Sequence, residues 1–376
     1  MTQNTENVDL FSPYKLGRLE LPNRIVMAPM TRNFSPRGVP GADVVAYYRR
    51  RAEGGVGLIL TEGTAPCPGA QNAPRVPHIY GEAAVQGWAK VVSAVHAAGG
   101  HIGMQLWHVG AAQSSSGSSK LPAAPVSPSG LYGPGRKVGE PMTQAEIDAA
   151  IEAFAQGAAE AQRVGFDAVE VHGAHGYLID QFFWGATNHR TDRYGGDLVD
   201  RTQFAAEVIR TCRRRVGPGF PLLLRFSQWK PQDYSARLAT NPAELRRFLA
   251  PLVAAGVDAF HCSTRRFWEP EFEGSDLNLA GWTKKLTGRP TITVGSVALD
   301  TDFTEPFRGA TGATPEEDVR TVRHLDRLLE MLARGDFDLV AIGRALLADP
   351  AWPQKVRDGR IREIRPFTSK VLETLF

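Results

Sequence analysis

Short runs of β-branched and aliphatic residues, bounded by turn formers, recur along this chain near Val26, Ile59, Ile102, Val169, Leu223, Phe260, Ile292 and Val340. Each reads as a buried strand. Between most of them the apolar spacing changes to a helical period. The clearest helix opens at Thr143, which forms a capping box with Glu146, and places Ile147, Ile151, Phe154 and Ala158 on one face before Gly165 ends it. A second opens at Asn241, with Pro242 at the first helical position and Glu244 in the first turn, and stops at Gly256. Thr314, Pro315 and Glu317 open a third in the same way.

Strand and helix in alternation predict a parallel sheet with right-handed crossovers, and eight repeats close into an α/β fold of the (β/α)8 TIM-barrel type. An open doubly wound sheet is the alternative, disfavoured because no G-x-G-x-x-G follows any strand. Leu10 to Asn23, with Gly17 among alternating apolar residues, reads as a hairpin covering the barrel bottom. Two stretches exceed a minimal barrel. Residues 111–142, rich in Ser, Pro and Gly, and residues 296–313 are expected as excursions on the C-terminal face, where loop insertions carry function. The length of 376 residues allows two domains. Barrels with insertions often form one unit, however, and a single domain over 1–376 is the expectation.

A chain that is 43% hydrophobic and 22% charged has enough apolar material for one large core. Its net charge of +3 comes from interspersed signs. Arg213, Arg214 and Arg215 form the main exception and read as a solvated helix end. No basic stripe with interleaved aromatics is present, which argues against a nucleic-acid partner. Cys67, Cys212 and Cys262 lie far apart without a C-x-x-C pair, which excludes a sequence-local zinc or iron–sulfur site and fits a reducing cytoplasm. With no apolar leader and no run of about 18 apolar residues, neither a signal peptide nor a membrane span is expected.

A barrel puts its chemistry at the C-terminal strand ends. Those ends carry Pro29-Met30-Thr31, Glu62-Gly63, Gln105-Leu106-Trp107, the run from His172 to Tyr177, Arg225, the run from Cys262 to Arg265, Gly295-Ser296 and Gly343-Arg344. Glycine at a strand end is often only a turn. Two such pairs after the seventh and eighth strands, one followed by an arginine, instead favour a phosphate-bearing ligand. Arg225, inside the apolar run Leu222 to Phe226, requires a buried partner whatever its role. His172 and His175 make a poor metal site because no third ligand follows at characteristic spacing, and the plain alternative is a pair capping a loop. Trp107 could equally be barrel packing, and Tyr177 an amphipathic loop residue.

The residues Pro22 to Arg32, Gln105 to Gly110, the block HGAHGYLIDQFFWGATNHRTDRYGG from His172 to Gly196, and Ala341 to Arg344 together resemble the Old Yellow Enzyme family of flavin oxidoreductases. The resemblance spans nearly the whole chain. It implies a non-covalent FMN across the barrel mouth, lined by Pro29, Met30 and Thr31, with Gly63 letting a strand end approach the ring. Gln105 would pair with the pyrimidine edge and Arg225 would sit near N1, while Gly295, Ser296, Gly343 and Arg344 would hold the phosphate. His172 and His175 would grip a substrate carbonyl or nitro oxygen, Tyr177 would deliver a proton, and Trp107 would restrict bulky ligands.

The activity so implied is an ene-reductase reaction, an NADPH or NADH dehydrogenase acting on activated C=C bonds of enones, maleimides or nitroalkenes. NAD(P)H would bind transiently at the same place, giving ping-pong kinetics, in a monomer or homodimer. Ala111 stands where the family often has Arg. The loop 262–273, with Arg265, Arg266, Phe267 and Trp268, departs from the family and is expected either to shape substrate or nicotinamide binding or to be a solvated cationic loop. A dienoyl-CoA reductase is disfavoured by the scattered cysteines. A cofactor-free barrel lyase or isomerase, and a flavin-binding protein without turnover, remain as rivals that colour and NADPH oxidation distinguish.

Overall fold

Inward and outward positions alternate along every long strand, and the two sets build two different cores. A computed structural model describes residues 8–112, 124–297 and 317–376. Eight parallel strands close on themselves in the order β3 (Ile25–Met27), β4 (Leu58–Leu60), β5 (Ile102–Leu106), β8 (Ala168–Gly173), β9 (Leu222–Ser227), β10 (Ala259–Ser263), β11 (Thr291–Val294) and β12 (Leu339–Ile342). All eight contain the positions predicted from the apolar runs, and the open-sheet alternative falls with the closure. Outward residues such as Val169, Val171, Leu224 and Phe226 pack under the surrounding helices in the larger core, whereas Val26, Leu58, Ala168, Leu223, Ala259, Ile292 and Leu339 fill the barrel interior.

Local signals set the helices α1 (Ala42–Glu53), α2 (Glu82–Ala97), α3 (Gln144–Val164), α5 (Gln203–Val216), α6 (Pro242–Ala255), α7 (Leu279–Thr287) and α8 (Glu317–Ala333). The Thr143 hydroxyl accepts from the Glu146 N–H while the Glu146 carboxylate accepts from the Thr143 N–H, and Gly165 closes α3 in the left-handed region. Asn241 caps α6 and Gly256 ends it in the same conformation. The predicted opening of α8 at Thr314 and Pro315 lies outside the described residues, as do 113–123 of the first excursion and 298–313 of the second. Short helices α4 (Leu178–Phe183), α9 (Arg344–Ala348) and α10 (Trp352–Arg357) follow the fourth and eighth barrel strands.

The hairpin β1 (Tyr14–Leu16) and β2 (Leu19–Leu21) is antiparallel, and its Leu16, Leu19 and Leu21 join the interior cluster at the barrel bottom. At the opposite end, the described part of the first excursion holds a small hairpin, β6 (Leu131–Gly133) with β7 (Arg136–Lys137). The reading of Arg213 to Arg215 as a solvated helix end needs correcting. Arg214 and Arg215 are exposed, but Arg213 is half-buried, donates to the carbonyls of Gly217, Phe220 and Gly256 and pairs with Asp258, tying α5 to the next crossover. Among the described residues no helix is long and apolar enough to cross a membrane, and no cluster of three or more His, Cys, Asp or Glu could hold a metal.

Candidate active site

Two residues further along the strands, the barrel interior changes character. The inward positions read Ala168, Glu170, His172 on β8, Leu223, Arg225, Ser227 on β9, Ala259, His261, Ser263 on β10, and Gly103, Gln105 on β5. Gln105 lies level with Glu170 and donates to it from Nε2 at 2.8 Å, and Nδ1 of His261 bonds the other carboxylate oxygen at 2.6 Å. Burial pushes the Glu170 carboxyl up, yet the hydrogen-bonded His261 foremost, then Arg225 and the Gln105 amide, together hold it below its ordinary range. Glu170 supplies the buried partner that Arg225 required.

Above this layer a cavity of about 510 Å³ opens at the C-terminal strand ends. Pro29, Met30, Thr31, Gln105, Trp107, His172, His175, Tyr177, Arg225, Gly295, Ser296, Gly343 and Arg344 all line it, so the structure brings together the residues singled out from the sequence. Gly63 is the exception. It does not line the cavity, and a Cβ there would lie 2.6 Å from the Trp107 indole, so its missing side chain makes room for Trp107. Sequence reasoning missed Trp229, Asn33 and the tail residues Phe367 and Leu372, which complete the walls, and it placed Ser263 at a strand end without giving it a role. Among the described residues the non-glycine positions with positive φ are Asn33, Arg37, His175 and Ser296. All but Arg37 line the cavity, so backbone strain gathers where ligand geometry would be set.

His172 and His175 stand with ring centroids 5.1 Å apart and planes at 89°, and Tyr177 sits 5.1 Å from His172 and 5.0 Å from Trp107. The Ala174 N–H donates to Nδ1 of His172, so that nitrogen is bare and the proton resides on Nε2, which has no protein partner among the described residues. Nε2 of His175 is already engaged with the Ser263 hydroxyl at 2.8 Å. Burial foremost, then Arg225, pushes both imidazoles well below their ordinary pKa, so each is neutral near pH 7. Burial and the nearby Tyr132 push the Tyr177 phenol up to about 12, against the pull of Arg225, and it keeps its proton.

Supporting contacts fix these groups. Asp180 accepts from the Gly176 N–H at 2.7 Å and pairs at 2.8 Å with Lys230, both side chains fully buried, which braces the His175–Tyr177 turn against the segment carrying Trp229. Trp229 in turn packs on His175 at 4.9 Å. The Glu62 carboxylate accepts from the N–H groups of Arg32 and Asn33, while the Arg32 guanidinium donates to the Val371 and Thr374 carbonyls. The segment carrying Pro29 to Thr31 is therefore held from below and by the tail. The loop 262–273 is not simply solvated: Arg265 lines the cavity with its guanidinium 4.4 Å from the Tyr234 ring centre, Phe267 is buried, and Trp268 stacks on His324.

Arg225 offers the test of what this cavity fits. Arg225 is 7% exposed, and among the described residues its one hydrogen bond is a long 3.5 Å contact to Ser263 while Nε has no partner. A fork of five donors left so poorly matched calls for an acceptor entering from the cavity. A flat ring with carbonyl and ring-nitrogen acceptors beside Arg225 and Gln105, carrying a phosphate toward Gly295, Ser296, Gly343 and Arg344, fits the groups present.

Fold and cavity thus define an α/β-barrel protein with a cavity at the C-terminal strand ends. Residues 9–308 match the NADH:flavin oxidoreductase / NADH oxidase family. The chain is 34% identical over 367 residues to an NADH oxidase of Thermoanaerobacter brockii, covering 95% of this chain and 52% of that protein, so it spans about half of that relative. It is 33% identical over 373 residues to 12-oxophytodienoate reductase 2 of Arabidopsis thaliana, covering 93% and 88% of the two chains. Among solved structures, morphinone reductase in complex with tetrahydroNAD superposes with a TM-score of 0.79 at 29% identity, covering 97% of this chain and 94% of the other. An old yellow enzyme homologue from Zymomonas mobilis gives 0.77 at 26% identity, covering 98% and 96%. The chain belongs to the NADH:flavin oxidoreductase / NADH oxidase family, that is, to the Old Yellow Enzymes.

Proposed function

We propose that this protein is an FMN-dependent NAD(P)H oxidoreductase that reduces activated C=C bonds of small electron-poor alkenes such as enones, maleimides and nitroalkenes. The observation that carries the reading is the under-satisfied Arg225 guanidinium facing the same cavity as a neutral His172–His175 pair and a protonated Tyr177. Family membership supports it, as does the neighbour seen with tetrahydroNAD. FMN, when bound, supplies hydride transfer, taken from the nicotinamide and given to the alkene β-carbon.

The chain's own residues do the rest. Gln105 and Arg225 would hold the pyrimidine edge, Pro29, Met30 and Thr31 would line the ring, and Gly295, Ser296, Gly343 and Arg344 would hold the phosphate. His172 donates from Nε2 to the carbonyl or nitro oxygen of the substrate, where negative charge grows as the β-carbon gains hydride. His175 flanks the same oxygen from the Ser263 side. Tyr177, protonated and beside His172, would deliver its proton to the α-carbon. Trp107, packed edge-on against Tyr177, limits how bulky that substrate is.

Nicotinamide and alkene share one cavity, which makes the kinetics ping-pong. Reconstituted with FMN, the protein turns yellow and oxidises NADH or NADPH faster when cyclohexenone is added, with parallel lines in double-reciprocal plots. Failure to take up FMN sinks the reading. Uptake without enone-dependent oxidation leaves only a flavin-binding protein.

A further inference from the structure

The Glu170 carboxylate lies beneath the cavity rather than in its wall. It is fully buried, and it spends both oxygens on groups other than Arg225: Oε1 on the Gln105 amide, Oε2 on Nδ1 of His261. Arg225 sits on the adjacent strand, level with His172 and His261. The anion therefore offsets the guanidinium through space without consuming its donors, which stay available to the cavity. His261 is also fully buried, and its Nε2 has no partner among the described residues. Its one ring proton is at Nδ1, donated to Glu170, so the imidazole adds no charge of its own.

Resting on the flavin reading above, we propose that Glu170 is the positioning and charge-balancing residue of the cofactor site, fixing the Gln105 amide and lowering the flavin potential from what Arg225 alone would set. Reduction places negative charge on the ring beside Arg225, and a fixed anion below opposes it. A unit charge about 10 Å away at an effective dielectric of about 20 changes such an equilibrium by more than tenfold. One amide hydrogen of Gln105 is committed to Glu170, leaving Oε1 and the second N–H for a ligand. Among the described residues the titratable groups acting on Glu170 are His261 on β10 and Arg225 on β9, with His172 two residues further along its own strand.

The test is the midpoint potential of the FMN-loaded protein, by dye equilibration, for wild type, Glu170→Gln and Glu170→Asp. Glu170→Gln is expected to shift the oxidised-to-reduced equilibrium at least tenfold toward reduced flavin, about 30 mV for two electrons. Glu170→Asp, which keeps the charge, is expected to stay within twofold. A Glu170→Gln shift below tenfold, or an equal shift in Glu170→Asp, overturns the proposal. Should Glu170→Gln not fold, His261→Leu decides. The carboxylate without its donor takes up a proton as pH falls, and the potential departs upward from the wild-type pH line by the same tenfold; a line parallel to wild type overturns the idea. Wild-type protein that takes up no FMN overturns the parent reading and this one with it, whereas loading with unshifted variants overturns this one alone.

Discussion

The two ends of the barrel interior are built from the same strands, a single inward step apart, yet they follow opposite chemistry. At the bottom Ala168, Leu223, Ala259, Ile292 and Leu339 pack with the N-terminal hairpin into a dry aliphatic plug. One pair of residues higher, Glu170, Arg225 and His261 place charge and imidazole in an equally buried layer. An apolar layer there would be the more stable filling, because buried charges recover little of their desolvation cost even when paired. On the proposed function the polar layer is a concession to a ligand, with stability supplied from below and from the helix-covered outer core.

Four measurements sharpen or break that contrast. Tyr177→Phe, at the upper end, is expected to slow enone-dependent turnover by about 10² to 10⁴-fold with little change in unfolding midpoint; stopped-flow rates near wild type would remove the phenol from the chemistry. Leu223→Ala, at the lower end, should lose about 2–5 kcal/mol of stability in denaturant titrations while its FMN affinity stays put. A weakened FMN site in that variant would show that the two layers are not separable.

Glu62→Gln tests the upper end by pH. Burial raises the Glu62 carboxyl from 4.5 to about 7 against the hydrogen bonds from Arg32 and Asn33, so the folded chain holds a proton that the unfolded chain has released. Wild-type stability from this group therefore falls as pH rises from about 4.5 to about 7. The Gln variant should gain on wild type by roughly 3 kcal/mol across that window, and a constant difference would contradict the raised value. Smallest is Thr143→Ala. It lies remote from both layers, and loss of its cap should cost about 1 kcal/mol without affecting FMN affinity or turnover.

Much of this molecule was legible in the chain. Eight apolar runs, the caps at Thr143 and Asn241 and the long block from His172 carried the barrel and most of the cavity wall, because each is a local pattern with a local cause. Glu170 and His261 left a signal too: polar residues two apart in otherwise apolar strands, Glu170 with His172 and His261 with Ser263, mark the inward face. The role of Gly63 was not legible, because a strand-end glycine shows only that something comes close, and the neighbour a side chain would meet there is Trp107.

What the sequence determined by itself is periodicity, capping and a block specific enough to name a family. Tertiary structure alone decided which groups meet across strands: that Glu170 takes Gln105 and His261 but not the donors of Arg225, that Ser263 occupies Nε2 of His175, and that the tail reaches Arg32. Those pairings join positions up to 342 residues apart. Barrel closure and register set such distances, and no short-range pattern encodes them.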